Sequence, residues 1–236
     1  MKNKIITSAI LLALTSTAAH AVSINMRHEW TPKFEGKDQV HKDRIAVSHR
    51  HANGVGWEVE TKWQSGDGFF DFDQFVDAGN QANISYRWKL DDQFTLTPQY
   101  KWETGSNKHA HQFNLTLGYK INDDWSTSFR HRYHYEIKNG GDDNSHYNRW
   151  TVGLGYKGID NWSLSATSDY TWKQEGEDVW KGDSDGFTEF NFKAEYKMGG
   201  GWYPFAEFGV TPDKKENSSE KDAWKPRYRI GMKYSF

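Results

Sequence analysis

Residues 225–236, at the end of the chain, read KPRYRIGMKYSF and alternate in character from one residue to the next. Bulky apolar side chains occupy one parity of this segment, namely Tyr228, Ile230, Met232, Tyr234 and Phe236. Polar or small residues occupy the other parity, namely Arg227, Arg229, Gly231, Lys233 and Ser235. Successive side chains of a β-strand point to opposite faces of a sheet, so this period of two predicts a strand with one apolar and one cationic face.

The same period of two recurs along the chain after residue 21, and we find no helical period of 3.6 there. Residues 125–138, for example, place Trp125 and Phe129 on one face and Arg130 and Arg132 on the other. We predict twelve such strands, at residues 22–31, 40–50, 56–64, 78–90, 94–104, 109–121, 125–138, 147–158, 162–174, 187–198, 202–211 and 225–236.

The connectors between the predicted strands alternate in length. Short turns occur at residues 52–55, 91–93, 122–124, 159–161 and 199–201, and longer polar loops at 32–39, 65–77, 104–108, 139–146, 175–186 and 212–224. Barrels of the bacterial outer membrane have short periplasmic turns and longer extracellular loops. We therefore predict an all-β fold, an antiparallel up-and-down transmembrane β-barrel of 12 strands with both termini on the periplasmic side.

The composition excludes several other classes of protein. The 236 residues include 14 Phe, 12 Trp and 12 Tyr, no Cys, and a formal net charge of −2. Disordered chains have few aromatic residues and a large net charge, disulfide frameworks and thiolate metal sites need cysteine, and nucleic-acid-binding domains usually carry a basic excess. We accordingly expect no nucleic-acid partner, no metal ion and no cofactor.

The first 21 residues predict export. A basic start at Lys2 and Lys4 precedes an apolar run at 5–14 and a small-residue cleavage site at 19–21. This is the pattern of a secretory signal peptide, and the apolar run is too short for a membrane anchor. We predict that residues 1–21 are cleaved and that 22–236 form a single barrel domain in the bacterial outer membrane.

The contents of the two faces predict which one meets lipid. A water-soluble barrel places bulky apolar residues inside and charges outside. Here the apolar face carries aromatic residues near the strand ends, such as Trp57 and Trp63, which suit a membrane–water interface. We therefore expect outer-membrane lipid to contact the apolar face, and the sheet to close because open edges would leave unpaired backbone groups in lipid.

Six residues fit this pattern poorly. Three polar side chains fall on the lipid-facing parity, one proline lies inside a strand, and two aromatic side chains fall on the lumen parity. In that order they are His28, His131 and Ser168, then Pro98, then Tyr203 and Phe205. Proline cannot donate to the ladder, and the two lumen aromatics predict either a bulge or a plug.

By parity the lumen is cationic, with 17 arginine and lysine side chains against nine carboxylates. A cationic bore concentrates anions, and the arginine fork pairs bidentately with carboxylates, so we predict a passive channel for acidic oligosaccharides. The alternative for any arginine is an ion pair that only braces the wall. The candidate substrate-binding residues are Arg27, Arg44, Arg50, Arg87, Arg130, Arg132, Arg149, Arg227, Arg229, Lys42, Lys101, Lys120 and Lys233.

Other motifs point elsewhere. Residues 153–158 match G-x-G-x-x-G, but a dinucleotide site needs a helix after that loop and none is predicted. The pairs His49/His51 and His109/His111 have a spacing that a metal ion could use, although on strands it more often marks one face. A barrel hydrolase, of phospholipase or protease type, remains the alternative function because His134 faces the lumen.

Several segments resemble the oligogalacturonate-specific porin family (the KdgM type). They are residues 41–44 (HKDR), 48–50 (SHR), 52–56 (ANGVG), 129–133, 227–236, and Trp202, Pro204 and Glu207. The resemblance implies a monomeric twelve-stranded channel that is not an enzyme and that takes up acidic oligosaccharides, typically oligogalacturonates from pectin breakdown. It implies basic tracks that include Arg44, Arg50, Arg130, Arg132, Arg227 and Arg229.

Two points stay open within that resemblance. Relatives specialised for sialic acid or for other uronates, such as alginate oligomers, leave the identity of the sugar undecided. The terminal Phe236 resembles the signal that the barrel assembly machinery reads at the end of outer-membrane barrels, which makes that machinery an expected partner.

Overall fold

The computed structural model describes residues 22–34, 38–65, 76–139, 144–173, 185–213 and 223–236. The predicted signal peptide at 1–21 lies outside the described residues. Twelve strands follow one another: β1 (Val22–Thr31), β2 (Val40–Arg50), β3 (Val55–Ser65), β4 (Val76–Tyr86, resuming at Trp88–Lys89), β5 (Phe94–Thr104), β6 (Lys108–Lys120), β7 (Trp125–Lys138), β8 (Ser145–Tyr156), β9 (Trp162–Lys173), β10 (Asp185–Tyr196), β11 (Trp202–Asp213) and β12 (Ala223–Ser235).

The strands close into one barrel. Each strand pairs antiparallel with its neighbours in sequence, and β12 returns to pair with β1, where Glu29 lies opposite Arg229. The backbone amide of Phe236 donates to the carbonyl of Val22 at 3.0 Å, so the first and last described residues meet at the end that carries the short turns. The predicted twelve-stranded antiparallel barrel is therefore confirmed, with strand boundaries that differ from the prediction by no more than two residues. The connector predicted as a longer loop at 104–108 is only residues 105–107.

Burial is reversed relative to a water-soluble protein. Among the described residues, the largest fully buried side chains are two carboxylates, Glu60 and Asp213, while Phe113 is 54% exposed and Ile230 is 53% exposed. Charged side chains inside and large apolar ones outside are what a lipid-facing barrel requires. Within the described ranges, no helix has the length and apolar character needed to cross a membrane.

Pro98 lies in the middle of β5 and explains the interruption of β4. The register that places Ser85 opposite Gln99 and Trp88 opposite Leu96 puts Pro98 opposite Tyr86, where its missing amide proton ends the ladder. The next residue, Arg87, instead donates its backbone amide to the carbonyl of Gly54 at 2.9 Å. Strand β5 continues because its pairing with β6 on the other side is unbroken.

Tyr203 and Phe205 point into the barrel without a bulge. The register of β11 against β12 is continuous from Trp202 to Asp213, so both rings follow the regular lumen parity. Phe205 lies opposite Gly231, and a Cβ atom at that glycine would collide with the Phe205 ring. The glycine therefore makes the room that a large lumen-facing ring needs in this part of the wall. The register shifts that do occur in the described strands are at Lys62/Trp63 and at Asp169/Tyr170.

Two of the three polar residues that the parity places on the outer face find polar partners. His28 Nδ1 lies 2.9 Å from Asp43 Oδ1, and its Nε2 lies 3.1 Å from His41 Nδ1. His131 Nε2 lies 2.9 Å from Asn148 Oδ1. In contrast, the Ser168 hydroxyl is buried without a hydrogen-bond partner among the described residues. Partnered polar groups cost less in an apolar environment than isolated ones.

Candidate functional site

The interior of the barrel contains a cavity of about 530 Å³, which we call the central cavity. Its lining comes from eight strands and combines five arginines and one lysine with three carboxylates and a series of hydroxyl and amide groups. The lining residues are Arg27, Thr116, Ser128, Arg130, Arg132, Arg149, Thr151, Ser165, Thr167, Asp169, Glu189, Asn191, Lys193, Glu207 and Arg229.

On one side of the central cavity the arginines are neutralised. Arg229 donates through Nε to Glu29 at 2.6 Å and through Nη1 to Glu207. Arg227 donates to Glu189. We call these five residues, on β1, β10, β11 and β12, the paired cluster. Its three carboxylates outnumber its two arginines, so the cluster offers an anionic solute no net attraction.

Other predicted cations are also held by carboxylates. Arg44 lies 2.7 Å from Glu60, a carboxylate with a side-chain exposure of only 1%. Lys101 lies 2.5 Å from Glu103, and Lys233 lies 2.7 Å from Glu195. Arg27 has its nearest carboxylate, Glu29, at 3.8 Å. Several of the thirteen candidate residues therefore form ion pairs with carboxylates of the wall, as expected if they brace it.

On the other side of the central cavity three arginines are held mainly by neutral groups. Arg130 Nη2 donates to Thr151 Oγ1 at 2.8 Å, Arg132 Nε donates to Asn114 Oδ1 at 2.8 Å, and Arg149 Nε donates to Thr171 Oγ1 at 2.7 Å. Hydroxyl and amide acceptors fix the orientation of a guanidinium without cancelling its charge. We call Arg130, Arg132 and Arg149, on the adjacent strands β7 and β8, the arginine track.

The arginine track keeps most of its charge. Among the described residues, neither Arg130 nor Arg132 has a carboxylate oxygen within 4.0 Å, and Arg149 has only Asp169, at 3.6 Å. The strands of the arginine track have the same alternating sequence pattern as those of the paired cluster. They differ in the side chains that lie beside each arginine. The central cavity is thus electrostatically one-sided, with its unneutralised arginines on β7 and β8.

A line of side-chain amides orients Arg132. Asn114 donates to Gln99 at 3.1 Å, Gln99 donates to Asn83 at 3.1 Å, and Asn83 donates to Glu58 at 3.2 Å. With the Arg132–Asn114 bond, this relay crosses five adjacent strands, from β7 to β3, and every bond runs in the same direction. Aligned hydrogen bonds polarise one another. The relay engages Arg132 Nε and leaves both terminal nitrogens of the fork for a solute.

We expect Asn114→Leu to weaken the binding of an acidic oligosaccharide in the bore by about threefold to tenfold, because a lost charge-assisted hydrogen bond is worth about 1 kcal/mol or more. The charge of Arg132 is unchanged, so the anion preference in simple salt should stay within about twofold of the original. Single-channel recording measures both quantities. The matched control is Asn191→Leu, which removes a lumen amide next to the paired cluster, where it accepts from Arg227 at 2.8 Å. Equal effects of the two substitutions would contradict the role of the relay.

The remaining predicted cations lie towards the ends of the barrel. Arg50 donates to the carbonyl of Gly54 at 2.7 Å and to Ser85 Oγ at 3.0 Å. Arg87 is exposed beside the same short turn. Lys120 lies 2.5 Å from Asp123 in another exposed turn, and Lys42 lies opposite Glu29 in the β1–β2 register. None of these four residues lines the central cavity.

Sequence parity did not single out the residues that orient the arginine track. Asn114, Thr151 and Thr171 all lie on the lumen parity, and that parity was the available signal. Tyr147 was missed in the same way: it stacks on His134 with ring centroids 4.3 Å apart, and Arg149 lies 5.1 Å from its centre. Choosing among lumen-facing residues needed the three-dimensional distances between strands.

The histidine pairs were also considered as metal sites. His49 Nε2 lies 3.2 Å from His51 Nδ1, and the rings of His109 and His111 are 5.8 Å apart in an edge-to-face arrangement. In the part of the chain that the structure describes, no group of three or more His, Cys, Asp or Glu side chains is arranged to hold a metal ion.

Comparisons with known proteins agree with this geometry. The chain is 30% identical to the oligogalacturonate-specific porin KdgM of Dickeya dadantii (strain 3937) over 244 residues, covering 100% of both chains. It is 32% identical over 229 residues to the uncharacterized protein YiiY of Salmonella typhimurium, covering 96% of each. Among solved structures, KdgM porin in complex with disordered oligogalacturonate superposes with a TM-score of 0.67 at 25% identity, covering 91% of this chain and 99% of that one.

The family comparison extends over nearly the whole sequence. The model of the oligogalacturonate-specific porin protein family (KdgM) matches residues 15–236. The match includes all twelve strands and both sides of the central cavity. The chain belongs to the KdgM family of oligogalacturonate-specific porins, and its barrel is an outer-membrane channel.

Proposed function

We propose that the protein is a passive channel for the uptake of acidic oligosaccharides, with oligogalacturonates as the substrate class, and that the arginine track is its binding surface. The observation that carries this proposal is that Arg130 and Arg132 line the central cavity without a carboxylate within 4.0 Å among the described residues. Fixed positive charge that the protein leaves unneutralised is available to a passing anion. The relatives named for oligogalacturonate support the choice of sugar.

The one-sided charge suits a chain of acidic sugars. Each uronate unit carries one carboxylate and several hydroxyl groups, and an arginine fork accepts the carboxylate in a planar, bidentate way. The neighbouring hydroxyls of Thr151, Ser128 and Thr116 line the same cavity and match the sugar hydroxyls. Because the paired cluster attracts little, a solute is held from one side only. Such contacts are weak enough to be released again, which transport requires.

We propose further that the channel catalyses no reaction. A hydrolase needs a nucleophile next to a base, and the buried outer-face hydroxyl of Ser168 has no hydrogen-bond partner among the described residues. The lumen histidine His134 stacks on Tyr147 and lies 3.7 Å from Glu136. These contacts brace the ring in the wall and support transport without chemistry.

The remaining assignments complete the proposal. Residues 1–21 are a signal peptide, and 22–236 form a single barrel domain that acts as a monomer with lipid around its apolar face. Phe236 follows the last residue of β12 and is 53% exposed, which leaves its side chain available to the barrel assembly machinery. The thirteen candidate residues differ in role: Arg130, Arg132 and Arg149 bind the solute, while Arg44, Arg227 and Arg229 brace the wall.

The test is single-channel recording in a planar bilayer with trigalacturonate and with maltotriose, a neutral sugar of the same length. We expect trigalacturonate to interrupt the current at concentrations at least tenfold lower than maltotriose, because only the acidic sugar pairs with the arginine track. Equal interruption by both sugars would refute an acidic substrate. Alginate trimers and sialic acid, tested in parallel, decide which acidic sugar binds best.

A further inference from the structure

We infer that the periplasmic mouth of the barrel holds a second carbohydrate subsite, in which the ring of Tyr203 stacks on a uronate unit while lysines attract its carboxylate. This inference rests on the proposed function and adds a place where the sugar is recognised as a sugar rather than as an anion. We call Tyr203, Lys157, Lys197 and Lys233 the exit subsite.

The first observation is the position of the ring. Tyr203 lies one residue into β11, beside the short turn at 197–201, and faces the lumen. The ammonium of Lys233 lies 4.3 Å from the centre of the Tyr203 ring, so one face of the ring already meets a cation. In the exit subsite the sugar packs on the face of the ring opposite this cation.

The second observation is the support beneath the ring. Phe205, two residues along the same strand, is only 7% exposed, and Lys193 Nζ lies 4.5 Å from its centre. Glu195 joins the two lysines, at 2.8 Å from Lys193 and 2.7 Å from Lys233. The two rings, two lysines and one carboxylate thus form a single braced unit. A surface whose groups are already fixed loses little conformational freedom when a ligand binds.

The third observation is the cavity that Tyr203 borders. It has a volume of about 390 Å³, within the usual range for small-ligand pockets, and Lys157 and Lys197 also line it. Neither of those two lysines has an ion-pair partner among the described residues, whereas Lys233 shares Glu195 with Lys193. The cavity is therefore cationic. Asn161 and Ser163 add polar groups that can bond sugar hydroxyls.

These features together fit a uronate better than a simple anion. A pyranose ring has one face made of C–H groups, which packs on the negative face of an aromatic ring, and a uronate also carries a carboxylate at its edge. An inorganic anion or a flexible polycarboxylate uses the lysines but gains nothing from Tyr203. The ring is the group that separates the two classes of ligand.

The exit subsite is also a second binding site along the path of a sugar that leaves the arginine track. The central cavity lies between the extracellular loops and the periplasmic mouth, so a sugar chain leaving the arginine track next meets Lys193, which lines the central cavity, and then Lys233. Several weak sites in series allow a bound solute to move on. We therefore expect the exit subsite to act on molecules that enter from or leave to the periplasmic side.

The experiment adds trigalacturonate or tricarballylate, a non-sugar with three carboxylates, to the periplasmic side of single channels. Tyr203→Leu should shorten the blockades by trigalacturonate about fivefold and leave those by tricarballylate unchanged, while Tyr203→Trp, which keeps an aromatic ring, should preserve them. Tyr119→Leu is the control, since it removes a tyrosine that stacks on Phe94 on the outer face of the barrel, also near the short turns. Heat-modifiable gel migration verifies that each variant is folded.

The outcomes separate the two proposals. If the original channel distinguishes trigalacturonate from maltotriose but Tyr203→Leu behaves like the original, or shortens blockades by both polyanions equally, the exit subsite is refuted and the proposed function stands. If trigalacturonate does not block the original channel at all, the proposed function fails and the exit subsite fails with it.

Discussion

Replacing Arg130 and Arg132 together by glutamate is expected to lower the anion-to-cation permeability ratio of the channel by about tenfold. At about 8 Å in water, one unit of charge changes the free energy of a passing ion by about 0.5 kcal/mol, and by about 0.2 kcal/mol after screening at physiological salt. The double substitution changes the wall by four units and acts in opposite directions on anions and cations. The reversal potential in a potassium chloride gradient measures the ratio.

The control for this prediction uses the same change of charge outside the bore. Lys89 and Lys120 are exposed strand ends that pair with turn residues, at 2.8 Å from Asp92 and 2.5 Å from Asp123. Their joint replacement by glutamate also changes the charge by four units, yet it should move the permeability ratio by less than twofold, since those charges face open solvent. A reversal potential that responds equally to both double variants, or to neither, would contradict selection by the arginine track.

Removing Arg229, in contrast, is expected to destabilise the barrel. Its guanidinium joins Glu29 on β1 to Glu207 on β11, and the side chains of all three are between 12% and 13% exposed. Arg229→Leu leaves Glu207 without an ion-pair partner among the described residues, and Glu29 keeps only the longer contacts with Arg27 and Arg227, at 3.8 and 3.9 Å. Breaking a fully buried pair costs about 3–5 kcal/mol, and water in the bore reduces this to roughly 2 kcal/mol. The unfolding midpoint in urea, followed by heat-modifiable gel migration, measures the loss.

Arg130→Leu is the matched control for Arg229→Leu. It removes the same side chain from the same cavity, but the group left behind is the hydroxyl of Thr151, which can bond water instead. We expect its unfolding midpoint to stay near that of the original protein while its affinity for acidic sugar falls. Arg229 thus mainly affects stability, whereas Arg130 mainly affects binding. Equal loss of stability in both variants would contradict the division between the paired cluster and the arginine track.

Much of the architecture could be predicted from the sequence because a barrel strand carries its two environments in alternate residues. The final strand shows this, since Tyr228 and Ile230 are exposed on the outer face while Arg227 and Arg229 form ion pairs inside the barrel. The period of two is a local property, so one chain suffices to detect it. Closure then follows from the need to pair both edges in lipid.

The division between binding and bracing arginines could not be predicted in this way. Arg130 and Arg229 have the same parity and similar neighbours in sequence, and they differ in what stands opposite them after folding. Arg227 reaches Glu189 and Asn191 on β10, two strands away, across Gly209 on the intervening strand. A Cβ atom at that glycine would collide with Asn191. This contact therefore depends on a glycine in the intervening strand, and the alternation within a single strand cannot predict it.

The two lumen aromatics gave an ambiguous signal for a related reason. Alternation alone assigns Tyr203 and Phe205 to the lumen, where bulky rings predict either a bulge in the strand or a plug in the bore. The register is regular, and each ring is instead covered by a lysine ammonium from a neighbouring strand. A cation against a ring face stabilises an aromatic side chain in a polar setting. The partners, Lys193 and Lys233, lie 12 and 30 positions away in the sequence.

The ion pair between Glu29 and Arg229 has a consequence for the way the protein is built. The two residues are 200 positions apart, so their contact exists only after the first strand has met the last. Before closure Arg229 can already meet Glu207 on the adjacent strand β11, whereas Glu29 lacks the hydrogen bond that only β12 supplies. Pairing of β1 with β12 therefore adds a charge-assisted hydrogen bond to the backbone ladder between these strands. An open barrel lacks this contact, and this favours the closed barrel over intermediates in which only some strands have paired.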